Sequence, residues 1–237
     1  MLPAPTSRVS VVVPVHNEAA FIPHGLPGLV RATRTVYPEA EILVVENGST
    51  DGTAAAVRAA AGNGVSLVQL AEADYGTAMY RGMTDATGDW IVTFDIDYFA
   101  EDFLRRLEDT SAEADIVIAS KRDPGSDDRR SAFRRLATLG FNLLLRTLFG
   151  SRVSDTHGIK AFRAAATRPH LDLVHSRKDL FDTELILRME RAGARIVEVP
   201  VTVEELRPAR SSLLRRVPRT LRGLWSIRRL LASPPEP

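Results

Sequence analysis

Short β-branched runs alternate with stretches of helical periodicity through the first half of the chain. Arg8–Val15 (RVSVVVPV) is nearly continuously apolar, the pattern of a strand buried on both faces. Glu41–Val45, Val65–Leu70, Trp90–Phe94 and Asp115–Ala119 predict further strands of the same kind. Between them, Phe21–Val36, Thr53–Ala61, Gly76–Ala86 and Glu101–Thr110 predict helices. Asp51 is placed to cap the second of these, and Gly62 and Gly88 stand where two helices should stop. A β-α-β-α alternation at this spacing predicts a doubly wound α/β domain, with a mainly parallel sheet and right-handed crossovers.

The pattern loosens after residue 120. Arg122–Arg130 (RDPGSDDRR) is polar and turn-rich and predicts a loop. Ser131–Phe149 predicts a long helix with apolar positions at Phe133, Leu136, Leu139, Leu143 and Leu144. Gly158–Phe162 and Ala194–Val203 predict strands separated by a helix at Phe181–Ala192. No internal repeat or low-complexity linker divides the chain. The expectation is one domain over residues 1–212 and a helical tail over 213–237.

Composition narrows the class. Apolar residues make up 44% and charged residues 26% of the 237, as in an ordinary soluble globular protein. The absence of cysteine excludes disulfides, thiolate metal sites and cysteine nucleophiles. The first ten residues hold no apolar core of signal-peptide length, and no stretch approaches the roughly 20 apolar residues of a membrane span. The net charge of +1 hides an asymmetry: residues 207–237 carry eight arginines against Glu236 alone, leaving −6 on the rest. In the tail, Leu214, Val217, Leu221, Leu224, Trp225 and Leu231 fall largely on one helical face, with arginines filling the remainder. A basic amphipathic helix with a tryptophan predicts contact with a membrane surface. Nucleic acid is disfavoured, because the tail has few aromatics for stacking and the body is acidic.

Ligands of open α/β sheets bind beyond the carboxyl ends of the strands. Three polar clusters fall there: His16-Asn17-Glu18, Glu46-Asn47-Gly48-Ser49 and Asp95-Ile96-Asp97. In an extended segment Asp95 and Asp97 point to the same side, and two close carboxylates repel unless a cation lies between them. Mg²⁺ or Mn²⁺ commonly binds through one or two carboxylates plus substrate phosphates. A metal-bound diphosphate on this rim points to transfer from a sugar nucleotide, with Glu18 and Glu46 suited to base or ribose. The chain has neither G-x-G-x-x-G nor G-x-x-x-x-G-K-S/T, which disfavours a dinucleotide site or a P-loop.

PVHNE (14–18), ILVVENGSTDGT (42–53), YGTAMYRG (75–82), TGDWIVTFDID (87–97) and D-x-H-G-x-K (155–160) follow the order found in family 2 glycosyltransferases. The chain resembles that family, closest to its dolichyl- or polyprenyl-phosphate mannose synthases. The resemblance implies a single GT-A (Rossmann-like) domain and transfer of mannose or glucose from a GDP- or UDP-sugar to polyprenyl phosphate. That transfer would be inverting, would depend on Mg²⁺ or Mn²⁺, and would occur at the cytoplasmic membrane face. By residue, it implies that Pro14, Asn17, Glu18 and Glu46 contact the nucleoside, with Gly76 and Thr77 in the glycine-rich turn near the sugar nucleotide. Asp95 and Asp97 match the D-x-D pair, Asp97 being the stronger ligand. Arg134 and Thr138, with Lys121, match the grip on the acceptor phosphate, and Arg207 with Ser211-Ser212 the stretch that closes over the nucleotide.

The chain departs from that pattern in four places: Asn47 replaces a second strand-end acid, Phe99 a polar metal-side residue and Lys160 an arginine, and the stretch from Arg207 to Ser212 lacks its lysine. A hydroxyl acceptor would instead need a carboxylate base, for which Asp182 or Glu184 is available. More distant readings are a nucleotidyltransferase and an inactive membrane-bound module. Many relatives have membrane spans that this sequence lacks, so the tail or a membrane-protein partner would supply access to lipid.

Overall fold

A computed structural model describes residues 7–120, 127–128, 132–153, 156, 158–203 and 213–232; within these, the side chains of 127–128, 132–135, 202–203 and 213–216 are not described. The elements run β1 (Val9–Val15), α1 (Ile22–Val36), β2 (Glu41–Asn47), α2 (Thr53–Ala60), β3 (Val65–Leu70), α3 (Tyr75–Asp85), β4 (Trp90–Thr93) and α4 (Glu101–Thr110). They continue with β5 (Ile116–Ser120), β6 (Asp127–Asp128), α5 (Ala132–Phe149), β7 (Lys160–Arg163), α6 (Ala164–Leu171), α7 (Phe181–Arg191), β8 (Ile196–Pro200), β9 (Thr202–Val203) and α8 (Leu213–Ala232).

The main sheet has the order β3-β2-β1-β4-β7-β5-β8. β1, β2, β3 and β4 pair in parallel, as do β5 and β8, while β7 runs antiparallel between β4 and β5. The expected doubly wound, mainly parallel α/β domain is therefore present. The alternation along β1 explains why its sequence is apolar throughout. Val9, Val11, Val13 and Val15 enter the layer under α1 and α4, whereas Val12 enters the opposite layer with Met79, Met83 and Phe181. Burial on both faces leaves no position for a polar side chain except one that is hydrogen-bonded. Ser10 meets that condition by donating to Glu41 Oε2 at 2.5 Å and accepting from the Gly88 amide.

Several elements differ from expectation. α6 was not foreseen: AAATRPHL carries Pro169 and little helical periodicity, and its burial comes from packing on α7. Asp127–Asp128, inside the expected polar loop, pairs in parallel with Thr202–Val203. The apolar positions of α5 divide between two sides. Leu136, Leu139 and Leu143 are exposed, and the buried side is formed by Phe141, Leu144, Leu145 and Leu148. In α8 the apolar residues divide in the same way. Leu224, Ile227 and Leu231 pack against Leu180 and Leu187, while Val217, Leu221 and Trp225 face outward. No helix among the described residues is long and apolar enough to cross a membrane.

Candidate active site

The loops after β1 and β2 are stitched together at the carboxyl end of the sheet. Asn17, at the left-handed φ of 54°, offers its amide to Ser49 Oγ (3.0 Å) and accepts the Thr50 amide on Oδ1 (2.9 Å). The Glu18 amide donates to Thr53 Oγ1 (2.8 Å) and the Ala19 amide to Asp51 (3.1 Å). Asp51, expected to cap α2, stands one residue before the N-cap position, which Gly52 occupies, and accepts the Thr53 amide and hydroxyl at the first helical residue. The Thr53 hydroxyl, ahead of those amides, holds the Asp51 carboxyl below its usual range. Glu46 is buried at the end of β2, accepting the Ser49 amide at 2.5 Å and the Gln69 amide at 3.4 Å. Asn47, where the resemblance led to an acid, accepts the Asp74 amide at 2.6 Å. Asp74 in turn caps α3 by accepting the Thr77 amide at 2.9 Å. The β2 end thus sets the start of α3, and with it Tyr75, Gly76 and Thr77.

After β4 the chain makes a tight turn, with the Tyr98 amide on the Asp95 carbonyl. Ile96 is buried while Asp95 is exposed and Asp97 half-buried, so the acids flank an inward anchor. The turn is not the continuous extended strand that the expectation assumed. Phe99 packs its ring 6.5 Å from that of Phe94 and lies over Gly28 of α1. It belongs to the apolar layer under α1 and offers the rim no oxygen.

Beside the acids lies a cleft lined by Pro14, Tyr75, Met79, Thr93, Phe94, Asp95 and Gly158. Beneath it is a cluster that spacing alone did not join. Lys160 Nζ stands 2.9 Å from Asp182 Oδ2 and also donates to the carbonyls of Gly158 (2.6 Å) and Thr156 (3.3 Å). Tyr75 donates its hydroxyl to the same Asp182 oxygen at 3.0 Å. Burial first, and then the charges of Asp182 and Asp95, push the Tyr75 phenol well above its ordinary range, so it is a donor at neutral pH. Asp182 Oδ1 is buried without a hydrogen-bond partner among the described residues. Two residues on, Glu184 accepts the amides of His175 (3.1 Å) and Ser176 (2.7 Å) and the Arg188 guanidinium (2.7 Å). Burial alone would raise its carboxyl; the bonds from Ser176, Arg188 and His175 outweigh that and hold it below the usual range.

The fold therefore brings Pro14, Asn17, Glu18, Glu46, Gly76, Thr77, Asp95 and Asp97 to one end of the sheet. Thr138 lies half-buried on α5. Arg134 is a backbone position on the same helix, its side chain outside what is described. Lys121, Arg207, Ser211, Ser212, Asp155 and His157 lie outside the described residues. Tyr75 was the residue missed. Its partner Asp182 is 107 positions away, and no local pattern relates the two.

Comparison with known proteins matches residues 10–170 to the model of glycosyl transferase family 2. The chain is 33% identical over 208 residues to an undecaprenyl-phosphate mannosyltransferase of Micrococcus luteus, covering 84% of each. It is 31% identical to a polyprenol monophosphomannose synthase of Mycolicibacterium smegmatis, covering 85% of this chain and 79% of that one. Among solved structures, a mannosyltransferase of Pyrobaculum calidifontis with GDP-Man and Mn²⁺ superposes with a TM-score of 0.67 at 24% identity, covering 100% of this chain and 68% of that one. Glucosyl-3-phosphoglycerate synthase of Mycobacterium tuberculosis, with Mn²⁺, UDP and phosphoglyceric acid, gives 0.72 at 20% identity, covering 98% and 81%. These two similarities support the GT-A architecture. With the family model spanning most of the chain and relatives above 30% identity across it, the protein belongs to glycosyl transferase family 2 and is a glycosyltransferase similar to polyprenyl-phosphate mannose synthases.

Proposed function

We propose that the protein transfers a hexose, mannose or glucose, from a nucleoside diphosphate sugar to polyprenyl phosphate, with inversion, at the inner face of the cytoplasmic membrane. The observation that carries this reading is the state of the two carboxylates that a hydroxyl acceptor would need. Asp182 Oδ2 is occupied by Lys160 and Tyr75, and its Oδ1 is sealed from solvent. Glu184 is wholly buried and held by two backbone amides and Arg188. Neither is open to take a proton from a sugar hydroxyl. A phosphate monoester needs no such base, because its second pKa near ~6 leaves it largely dianionic at neutral pH. The similarity to an undecaprenyl-phosphate mannosyltransferase supports the same acceptor.

In this reading an acceptor phosphate oxygen attacks the anomeric carbon opposite the diphosphate. The bond to the diphosphate oxygen breaks, and its electron pair leaves with the nucleoside diphosphate. Asp95 and Asp97 fit a hard divalent cation, which takes carboxylate oxygens: the two acids flank one buried anchor at the carboxyl end of the sheet. They would hold Mg²⁺ or Mn²⁺ with the donor phosphates completing its shell. The metal, when bound, neutralises charge developing on the leaving diphosphate. Pro14, Asn17, Glu18 and Glu46 would hold the nucleoside and Gly76 and Thr77 the sugar-nucleotide turn. Lys121, Arg134 and Thr138 would position the acceptor phosphate, and Arg207 would close over the nucleotide. The basic α8 would bring the domain to the lipid surface.

A panel of GDP- and UDP-sugars with polyprenyl phosphate and Mn²⁺ or Mg²⁺ tests the reading. Lipid-linked sugar formed without any hydroxyl acceptor is the expected product. Turnover only with a hydroxyl acceptor overturns it.

A further inference from the structure

The polar groups that line the cleft beside Asp95 are all of one kind. The Thr93 hydroxyl donates to the Lys160 carbonyl at 3.4 Å, and the Tyr75 hydroxyl donates to Asp182 Oδ2 at 3.0 Å. A hydroxyl has one proton, so each of these oxygens can only accept from a further partner. Asp95 and the Gly158 carbonyl are acceptors by nature. No side chain of the lining carries an N–H.

The commitment of the Tyr75 proton is enforced from beneath. Asp182 is buried, its Oδ1 has no hydrogen-bond partner among the described residues, and its Oδ2 takes Lys160 and Tyr75. Lys160 is fully engaged in turn, with Asp182 and the carbonyls of Gly158 and Thr156 for its three N–H groups. Turning the phenol proton elsewhere would leave a buried carboxylate with Lys160 alone, and burial makes that costly. Toward any ligand, the Tyr75 oxygen is therefore a lone-pair acceptor held by partners from β7 and α7.

That property sorts the possible ligands. A phosphate brings acceptor oxygens, which find no proton on these side chains. A sugar hydroxyl brings the proton that the wall lacks. The apolar side chains of Pro14, Met79 and Phe94 suit the C–H face of a pyranose, and a few placed polar groups among apolar walls are what fix a ligand's orientation.

We propose that Tyr75 is a specificity-determining residue for the transferred sugar, its phenol oxygen accepting a hydrogen bond from one pyranose hydroxyl, with Asp182 and Lys160 as the positioning residues that hold its proton. This rests on the sugar-nucleotide reading above and extends it from the diphosphate to the sugar. A site that bonds a hydroxyl rejects the analogue lacking it more sharply than an apolar wall rejects a change of shape.

Calorimetry on the full chain with Mn²⁺ tests this without any acceptor. The probes are GDP-mannose and UDP-glucose, GDP and UDP, and the monodeoxy series of whichever sugar nucleotide binds. Tyr75→Phe keeps the ring and removes the oxygen. Affinity for the sugar nucleotide is expected to fall by roughly three- to tenfold, the worth of one neutral hydrogen bond, while affinity for the nucleoside diphosphate stays at the parent value. One monodeoxy analogue should bind the parent more weakly by the same factor, and should bind parent and variant alike. Equal losses for nucleotide and sugar nucleotide, or no loss for either, overturn the proposal. So does a parent indifferent to every monodeoxy analogue. Lys160→Met with Asp182→Leu keeps Tyr75 but frees its proton, so discrimination among the analogues should shrink; full discrimination in this double variant refutes the positioning role. If Tyr75→Phe does not fold, the double variant and the parent's analogue series decide. Transfer to polyprenyl phosphate is scored separately. If that lipid is not glycosylated while the sugar discrimination holds, the acceptor reading fails and Tyr75 keeps its role; a parent that binds neither sugar nucleotide overturns both.

Discussion

Lys160 sets its ammonium 2.9 Å from the carboxylate of Asp182, and both side chains are almost wholly withdrawn from solvent. The pair joins the first residue of β7 to the first turn of α7, and the Tyr75 hydroxyl brings the start of α3 to the same oxygen. Three elements that line or underlie the cleft thus depend on one buried carboxylate. Removing a single partner of such a pair strands a charge and costs about 3–5 kcal/mol, whereas removing both can be nearly neutral. Lys160→Met is therefore expected to lower stability by about that amount in urea unfolding. Lys160→Met with Asp182→Leu should recover most of it, and a double variant as unstable as the single one would refute the pairing.

Gly76 has a second reason to stay as it is. Its amide donates to the Arg177 carbonyl at 2.6 Å, and an added Cβ would lie 2.3 Å from the Arg177 backbone. Gly76→Ala must push the segment before α7 away from α3, at a cost of about 1–3 kcal/mol for overpacking. Gly62→Ala, where an added Cβ meets nothing, should change stability by less than about 0.5 kcal/mol. Equal melting temperatures for the two variants would refute the close approach.

Glu184 ties stability to acid pH. Its carboxyl is held below the usual range in the folded protein, so between the folded and unfolded values the unfolded chain binds more protons. The contribution is complete above the ordinary glutamate pKa and is lost as pH falls through the folded value. Glu184→Gln should be less stable at pH 7. It should also lose less stability than the parent between pH 5 and 3 (roughly the range in which glutamates titrate). Urea unfolding across that range checks both signs.

Asp97 is half-buried at a turn whose apolar anchor is Ile96. Asp97→Ala should leave stability within about 0.5 kcal/mol. Metal-dependent transfer should fall by roughly 100-fold or more, the scale of losing charge stabilisation in a transition state. Turnover with Mn²⁺ or Mg²⁺ set beside a urea titration separates the two effects.

Much of the β1–α4 half was legible in the chain because its signals are local. Continuous apolar runs such as VSVVVPV record burial on both faces, and Asp51 bonds its near neighbour Thr53 at the start of α2. The acids after β1, β2 and β4 were legible as a rim for the same reason, since a parallel sheet carries all its strand ends to one edge. Which side each leucine of α5 takes was not legible in the chain. Apolar spacing shows that a stripe exists, but whether it meets protein or solvent depends on what packs against it. Here Leu144, Leu145 and Leu148 take the protein side, leaving Leu136, Leu139 and Leu143 outside.

The sequence alone determined the family's ordered motifs, the strand–helix alternation and the acidic rim, because each is written in residues close together in the chain. Only the tertiary structure decided that β7 enters antiparallel between β4 and β5, which places Lys160 opposite Thr93 and within reach of Asp182. It alone engaged Asp182 and Glu184 with partners, and it alone divided α8 between a face for the domain and a face for something else. The reason is physical. A charge or an apolar stripe declares a need for a partner, and which partner meets it is settled by contacts between segments that the chain keeps far apart.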